Sequence, residues 1–337
     1  MKELIEKAEN LILVVNGGIG RNIFATSVVR NLKKAYNDKN IIVVAGFADT
    51  FNNSPHIKRV YQFDKPIYLF EDFIQDNKSI VLDVEPYRHP DYVNNNMHVV
   101  EAWCDLLEIP CDNTVGEMFF TKSELEMAYL QVQKRKNKLV LIQHVGGMQP
   151  QTCDKDSQLA SRNSMYRRSL PENVVDEVVN KLKSNGFDVG CVQLPNQYCP
   201  KNAERINFPP RAIIALMPYV HGVISIDSFI MHSAAVMNKK ALVCWGGTSP
   251  LKLGYEMHMN LRKKNCPTPE CHRPNSYLFD VQPNGFMWDC KYSDECMNYS
   301  ADDILTGFQE LYGKFDEGKV VTAELVNTCA EECLCKK

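Results

Sequence analysis

The sequence predicts an α/β protein of two Rossmann-like, doubly wound domains facing a cleft. Two observations carry that prediction. Runs such as Leu11–Val15, Ile41–Ala45 and Leu139–Gln143 are apolar without polar alternation, as in parallel strands buried on both faces. These runs alternate with helical patterns in two consecutive series, separated by a polar, Lys-rich stretch at 121–137.

In the first series the strand at 11–15 leads through Asn16-Gly17-Gly18-Ile19-Gly20 into a helix from Arg21 to about Tyr36. Strands at Ile41–Ala45 and Ser79–Val84 follow. The second series runs strand Leu139–Gln143, loop His144–Gly147, helix Pro171–Ser184, strand Asp188–Gln193, helix Arg211–Tyr219 and strand Gly222–Ile226. The domains are therefore expected at 1–135 and 136–300. An amphipathic helix at 301–315, capped by Ser300 or Asp302, is free to cross back onto the first domain. Residues 316–337, with Cys329, Cys333 and Cys335, read as a tail.

Composition narrows the function. A chain of 337 residues with 45% hydrophobic and 23% charged content is long enough for two cores. No apolar run approaches the ~20 residues of a membrane helix. The start, MKELIEKAEN, lacks the apolar centre of a signal peptide. A net charge of −3 exerts no global pull on nucleic acid or anionic lipid. Thirteen cysteines are spread through expected strands and helices, as at Cys104, Cys191 and Cys244, where Cys acts as a small buried hydrophobe. A reduced, cytoplasmic setting is expected.

The most informative stretch is 225–250, SIDSFIMHSAAVMNKKALVCWGGTSP. A strand ends at Asp227, a helix opens at Ser228, and a second strand, Ala241–Trp245, closes on Gly246-Gly247-Thr248-Ser249-Pro250. Amides at a helix start carry partial positive charge, and small hydroxyl residues let an anion approach. That chemistry suits a nucleotide diphosphate. The plainer reading is an ordinary β–α–β unit with Ser and Thr in its loops.

An ordered set of motifs resembles the heptosyltransferase-like (family 9) glycosyltransferases from about residue 11 to 310. The set comprises Gly17-Gly18-Ile19-Gly20 before a helix with Ala25-Thr26 and Leu32, then Phe51–Val60 and His98–Pro110. It continues with Arg168-Ser169-Leu170-Pro171, Asp227–Ala235, Trp245–Pro250 and Cys296-Met297. The resemblance implies a GT-B fold and inverting transfer of a sugar without a bound metal. Two departures stand out. Arg21 occupies the position of the family's aspartate, the presumed catalytic base, and an arginine cannot take a proton at neutral pH. Phe229 and Ile230 stand where the family has Gly and Pro.

On this reading the donor, a nucleotide-diphosphate sugar acting as co-substrate, lies over Gly18, Gly20, Arg168, Asp227, Ser228, His232, Thr248 and Ser249. Arg168 would neutralise the departing diphosphate. Asp227 reads equally as a helix cap, His232 as a core histidine, Arg168 as a solvated charge, and Thr248-Ser249 as turn chemistry before Pro250. The replacement base is sought in the loop 83–91, among Asp83, Glu85, His89 and Asp91, since a carboxylate or imidazole must reach the acceptor hydroxyl. Arg21 and Arg88 are read as gripping an anionic acceptor. Cys266, Cys271, Cys290 and Cys296 fit a structural zinc, with free thiols as the alternative.

The expected activity is glycosyl transfer from a nucleotide diphosphate to an acceptor hydroxyl, with no cofactor required. The acceptor is a glycan, a lipid-linked sugar or a modified nucleic-acid base. Two rivals are a glycosyltransferase acting on modified DNA bases, using Arg21 and the basic run Arg162, Arg167, Arg168, and a non-catalytic nucleotide-sugar binder.

Overall fold

Two all-parallel sheets frame the chain, seen in a computed structural model that describes residues 2–76, 78–146, 168–195, 197–263, 266–267, 270 and 295–315. The first half runs α1 (Lys2–Lys7), β1 (Asn10–Val15), α2 (Ile19–Ala35), β2 (Asn40–Ala45), β3 (Arg59–Gln62), β4 (Ser79–Leu82), α3 (Pro90–Asn94), α4 (Val99–Leu106) and α5 (Lys122–Gln133). The second half runs β5 (Leu139–Ile142), α6 (Glu172–Ser184), β6 (Asp188–Val192), β7 (Glu204–Ile206), α7 (Pro210–Leu216), β8 (Gly222–Ile226), α8 (Phe229–Val236), β9 (Leu242–Trp245), α9 (Pro250–Leu253), β10 (Met259–Arg262) and α10 (Ala301–Tyr312).

Strand order is β3-β2-β1-β4 in the first sheet and β10-β9-β8-β5-β6-β7 in the second. The central strands are those whose apolar runs lack alternation. Leu11 pairs with Ile41 and Ile80 on its two sides, and Val140 pairs with Val189 and Gly222. Of the four edge strands, β3, β7 and β10 are short and carry polar residues, whereas β4 keeps the apolar run Ile80–Leu82. Each sheet has one topological switch point, between β1 and β4 and between β5 and β8, where crossovers depart in opposite directions. Ligands of doubly wound sheets bind beyond the strand ends at such points.

The last helix corrects one expectation. It stops at Tyr312, where Gly313 adopts φ +97°, and it packs on the second domain without crossing back to the first. Ile304, Leu305 and Phe308 are buried with Val175 and Val179 of α6 in the core under the outer face of the second sheet. The Tyr312 hydroxyl accepts from Val223 N at 3.1 Å, and Lys181 reaches Asp302 at 2.7 Å. Apolar attachment therefore holds the helix to its own domain.

One apolar core runs through the first domain and continues onto the inner face of the second sheet, while a smaller cluster of Ile12, Ile42, Val44, Tyr61 and Phe73 covers the other face of the first sheet. The join is made by α2 against α8. Phe24 meets the His232 ring edge-on at 5.6 Å and the Trp103 ring at 6.2 Å. A Cβ on Gly20 would lie 2.9 Å from His232 Cδ2, and one on Gly116 would lie 2.5 Å from Ile23 O, so glycine is required for these approaches. Two polar clasps flank the join. Arg211 of α7 ion-pairs with Glu124 of α5 and lies over the Phe120 ring at 4.4 Å. Lys252 of α9 donates to Val93 O at 3.3 Å, over the Tyr92 ring.

His232, His98, His258 and Tyr255 meet in this buried join. His232 Nδ1 and the Tyr255 hydroxyl are 2.9 Å apart, and the Tyr255 ring meets the His98 and His258 rings. Burial pushes His232 down to about 3 and His98 to about 4, and lowers His258, so all three are neutral at neutral pH. A depressed histidine costs nothing above the free value of 6.5. Its stabilising contribution is fully present there and is lost as the pH falls from 6.5 toward the folded values, because only the unfolded chain takes up the proton. Urea unfolding should therefore show a loss of about 1 kcal/mol per histidine between about pH 6.5 and 5.5. Replacing His98 with Gln should make the decline shallower, whereas an unchanged slope would place the proton uptake elsewhere.

Candidate functional site

At the first switch point, β1 ends in the turn Asn16–Gly18 and β4 ends before Asp83. Gly17 takes φ +85°, a left-handed conformation that favours glycine, and a Cβ there would also lie 3.1 Å from Arg21 Cδ. Arg21 sits in the first turn of α2, where the helix dipole disfavours a cation. Three groups offset that cost. Its Nη1 donates to Glu85 Oε2 at 2.8 Å, and its guanidinium lies 5.0 Å from the Trp103 ring centre and 5.5 Å from that of Tyr87. Arg21 is 9% exposed, and its charge is neutralised internally. The structure thus gives it a partner within the chain in place of the expected grip on an anionic acceptor.

The four candidates for the base separate by what they already hold. His89 Nδ1 accepts from Asp91 N at 3.1 Å and its Nε2 lies 2.8 Å from Asp105 Oδ2. With both ring nitrogens occupied, His89 caps α3 and has no lone pair for an acceptor proton, which corrects the expectation placed on it. Asp91 is exposed in the first turn of α3 and accepts from Asn95 at 2.7 Å. Asp83 and Arg88 are exposed. Glu85 is half-buried, held by Arg21 and by Tyr87 N, and lies just beyond the end of β4.

At the second switch point the ends of β5 and β8 bring Gln143, His144, Asp227 and Ser228 together. Leu170 N donates to His144 O at 2.9 Å and Gly146 N to Ser169 Oγ at 3.1 Å, which brings Arg168 beside the end of β5. Arg168 Nη1 lies 3.6 Å from Asp227 Oδ2. Ser228 is the N-cap residue of α8, but its hydroxyl donates to Gln143 Oε1 and no side chain caps the helix. The first amides of α8 are therefore left for another acceptor.

Buried polar groups without partners gather at these strand ends. They are His144 Nε2, Gln193 Oε1, Arg168 Nε and Thr248 Oγ1, while Asp227 Oδ2 has only the 3.6 Å ion pair with Arg168 and no hydrogen bond. Gln193 Nε2 is 2.8 Å from His144 Nδ1, and burial pushes His144 down to about 4, so the ring is neutral. With Nδ1 accepting from the glutamine amide, Nε2–H is a donor beside the unmatched acceptor Gln193 Oε1. Burying polar atoms unpaired is costly, so a cluster of four points to a ligand. Its chemistry must offer both anionic or acceptor oxygens and hydroxyl or amine donors.

The remaining candidates fall around this cluster unevenly. Gly18 has open space at its Cβ position, while Gly20 closes on His232. His232 is buried in the domain join, its ring packed edge-on against Phe24 and Tyr255. Ser249 caps α9 and donates to Glu270 at 2.8 Å. Cys266 and Cys296 are buried, whereas Cys271, Cys290, Arg162 and Arg167 lie outside the described residues. Sequence reasoning did not single out Gln143, His144 and Gln193. Their signal was position alone, at or just past the carboxyl ends of two expected strands.

No family sequence model and no curated protein matches the chain. Solved structures do. The glycosyl transferase family 9 protein of Veillonella parvula superposes with a TM-score of 0.61 at 11% identity, over 90% of this chain and 97% of that one. The ADP-heptose lipopolysaccharide heptosyltransferase II of E. coli gives 0.59 at 12%, over 89% and 98%. The E. coli heptosyltransferase WaaC, solved with ADP, gives 0.53 at 12%, over 90% and 99%. The fold is therefore of the GT-B type, two Rossmann-like α/β domains facing a cleft. The chain resembles family 9 heptosyltransferases in fold over about nine tenths of its length.

The Arg21–Glu85 pair can be weighed by a double-mutant cycle of Arg21→Met and Glu85→Gln, read by urea unfolding. The expected coupling is roughly 1–2 kcal/mol, less than for a fully buried pair because water screens Glu85. A coupling near zero would mean that Arg21 does not hold Glu85.

Proposed function

We propose that the chain is a glycosyltransferase that moves a sugar from a nucleotide-diphosphate donor to an acceptor hydroxyl, with inversion and without a divalent metal. The observation that carries this reading is the cluster of unpartnered buried polar atoms at the second switch point, beside the uncapped N-terminus of α8. A nucleoside diphosphate matches it. Its phosphate oxygens accept from Arg168, Thr248 and the helix amides, and its hydroxyl or amine groups donate to Gln193 and Asp227. The shared fold supports the same reading, since one neighbour is named for ADP-heptose and another was solved with ADP.

In the proposed reaction Glu85 accepts the proton of the acceptor hydroxyl. The oxygen attacks the anomeric carbon on the face opposite the diphosphate, forming one C–O bond as the other breaks. Arg168 and the amides of α8 meet the charge that develops on the leaving diphosphate. Glu85 suits the role because Arg21 holds one of its carboxylate oxygens in place while the side chain stays only half-buried just past the end of β4. The proton acceptor that the resemblance places at position 21 is thereby supplied from 64 residues further along the chain. Because Arg21 is neutralised by Glu85, the proposed acceptor is a sugar hydroxyl rather than a duplex held through its phosphates at this position.

ADP is the first probe for the donor site. A ligand that binds only the folded chain must stabilise it, so saturating ADP or a related nucleoside diphosphate should raise the melting temperature. Arg168→Gln should weaken that binding by about 10–100-fold. If no nucleoside diphosphate shifts the melting temperature of the intact chain, the donor site is misassigned.

Glu85→Gln should cut turnover by about 10²–10⁴-fold with little change in donor affinity. The same assay in the presence of a chelator should retain its rate. A folded Glu85→Gln chain that turns over normally would remove Glu85 as the base, and activity lost to chelation and restored by magnesium would overturn the metal-free route.

A further inference from the structure

Away from the proposed transfer site, α4 ends in a reversal that brings two cysteines together. Glu108 adopts φ +56°, and Ile109 N returns to Cys104 O at 3.0 Å, closing the helix in a Schellman-like turn. The chain then doubles back through Pro110 to Cys111. One side-chain amide marks the meeting point: Asn31 Nδ2 of α2 lies 3.7 Å from Cys104 Sγ and 3.8 Å from Cys111 Sγ. Both thiols are free, Cys104 is buried and Cys111 is half-buried.

We propose that Cys104 and Cys111 form a reversible disulfide by exchange with a low-molecular-weight disulfide, making this turn a redox modification site. The two thiols already adjoin one donor atom, and the eight-residue loop they close is held in a returning turn. Neither belongs to a group of three or more potential metal ligands among the described residues, which leaves exchange chemistry as their joint capability. Their roles differ by access. The Cys104 thiol hydrogen-bonds Cys111 and lowers its pKa, while that shared proton and burial raise Cys104. Cys111 is therefore the attacking thiolate and Cys104 the resolving thiol.

The exchange balances in two steps. Cys111 thiolate attacks one sulfur of the small disulfide and expels a first small thiolate. Cys104 then attacks the Cys111 sulfur of the mixed disulfide, gives up its proton and expels a second small thiol. Two protein thiols are oxidised by two electrons and one small disulfide is reduced to two thiols. The bridge ties the end of α4 to the segment after it, both of which rest on α2. The Ser27 hydroxyl donates to Asn113 O, and Arg30 donates to Asn113 O at 2.8 Å and to Val115 O at 3.1 Å.

The test uses the full chain and oxidised glutathione. Arg88 and Lys122 bound a tryptic peptide, residues 89–122, whose only cysteines are these two. After mild oxidation of the folded, reduced chain, that peptide should lose the mass of two hydrogens and regain it with dithiothreitol. In Cys104→Ser the same peptide should stop with one glutathione on Cys111, and in Cys111→Ser Cys104 should remain unmodified. Should the wild-type peptide keep both thiols while other cysteines react, or end as a mixed disulfide at Cys111, the proposal fails. Serine variants that do not fold leave the wild-type mass measurement to decide.

Discussion

The contact between the first turns of α2 and α8 is the constraint on which the rest of the structure depends. Each helix follows the central strand of a switch point, β1 or β8, so each N-terminus sits where its own sheet offers a ligand site. Gly20 lets the two helices meet, because any side chain there would run into His232. Arg21, one residue further on, holds Glu85, while Asp227 and Ser228 open the partner helix. Two strand-end clusters from different domains are thus placed on the two sides of one packed contact.

Charge at this junction is arranged economically. A cation at the start of α2 opposes the helix dipole, yet Arg21 is retained in a buried position by one carboxylate and two aromatic faces. Breaking such a pair by removing one partner leaves an uncompensated charge, so neither residue changes freely alone. The three histidines of the join add the opposite device. They are kept neutral by burial and make the domain contact sensitive to acid. At the second switch point unmatched polar atoms of His144, Gln193, Arg168 and Thr248 lie beside a helix start that no side chain caps, and that combination marks a place for a ligand.

The fold was legible because its signals are local. Unbroken apolar runs such as LILVV and LVLI mark buried parallel strands, and Gly17 and Gly18 mark the turn after β1. Asp227 and Ser228 were visible as a strand-to-helix turn for the same reason. What was not legible depends on partners far apart in sequence. Nothing near Gln193 or His144 announces that β6 and β5 will be neighbours, and so pair an amide with an imidazole 49 residues away. His89 looked like a base because its loop is polar, but its capping of α3 and its bond to Asp105 arise only in the folded turn. His232 likewise shares a motif with Ser228, yet the helix turns it into the domain join, where Phe24 covers it.

The central claim is that the α2–α8 contact holds both halves of the site, and two alanine substitutions test it most directly. Gly18 and Gly20 differ in what a methyl group would meet: open space at Gly18, the pinned His232 ring at Gly20. Gly20→Ala should lower the unfolding free energy by about 1–3 kcal/mol through overpacking of the join, while Gly18→Ala changes it by less than about 0.5 kcal/mol. Equal effects from the two substitutions, or a silent Gly20→Ala, would contradict the account, because the domains would then not be held by this contact.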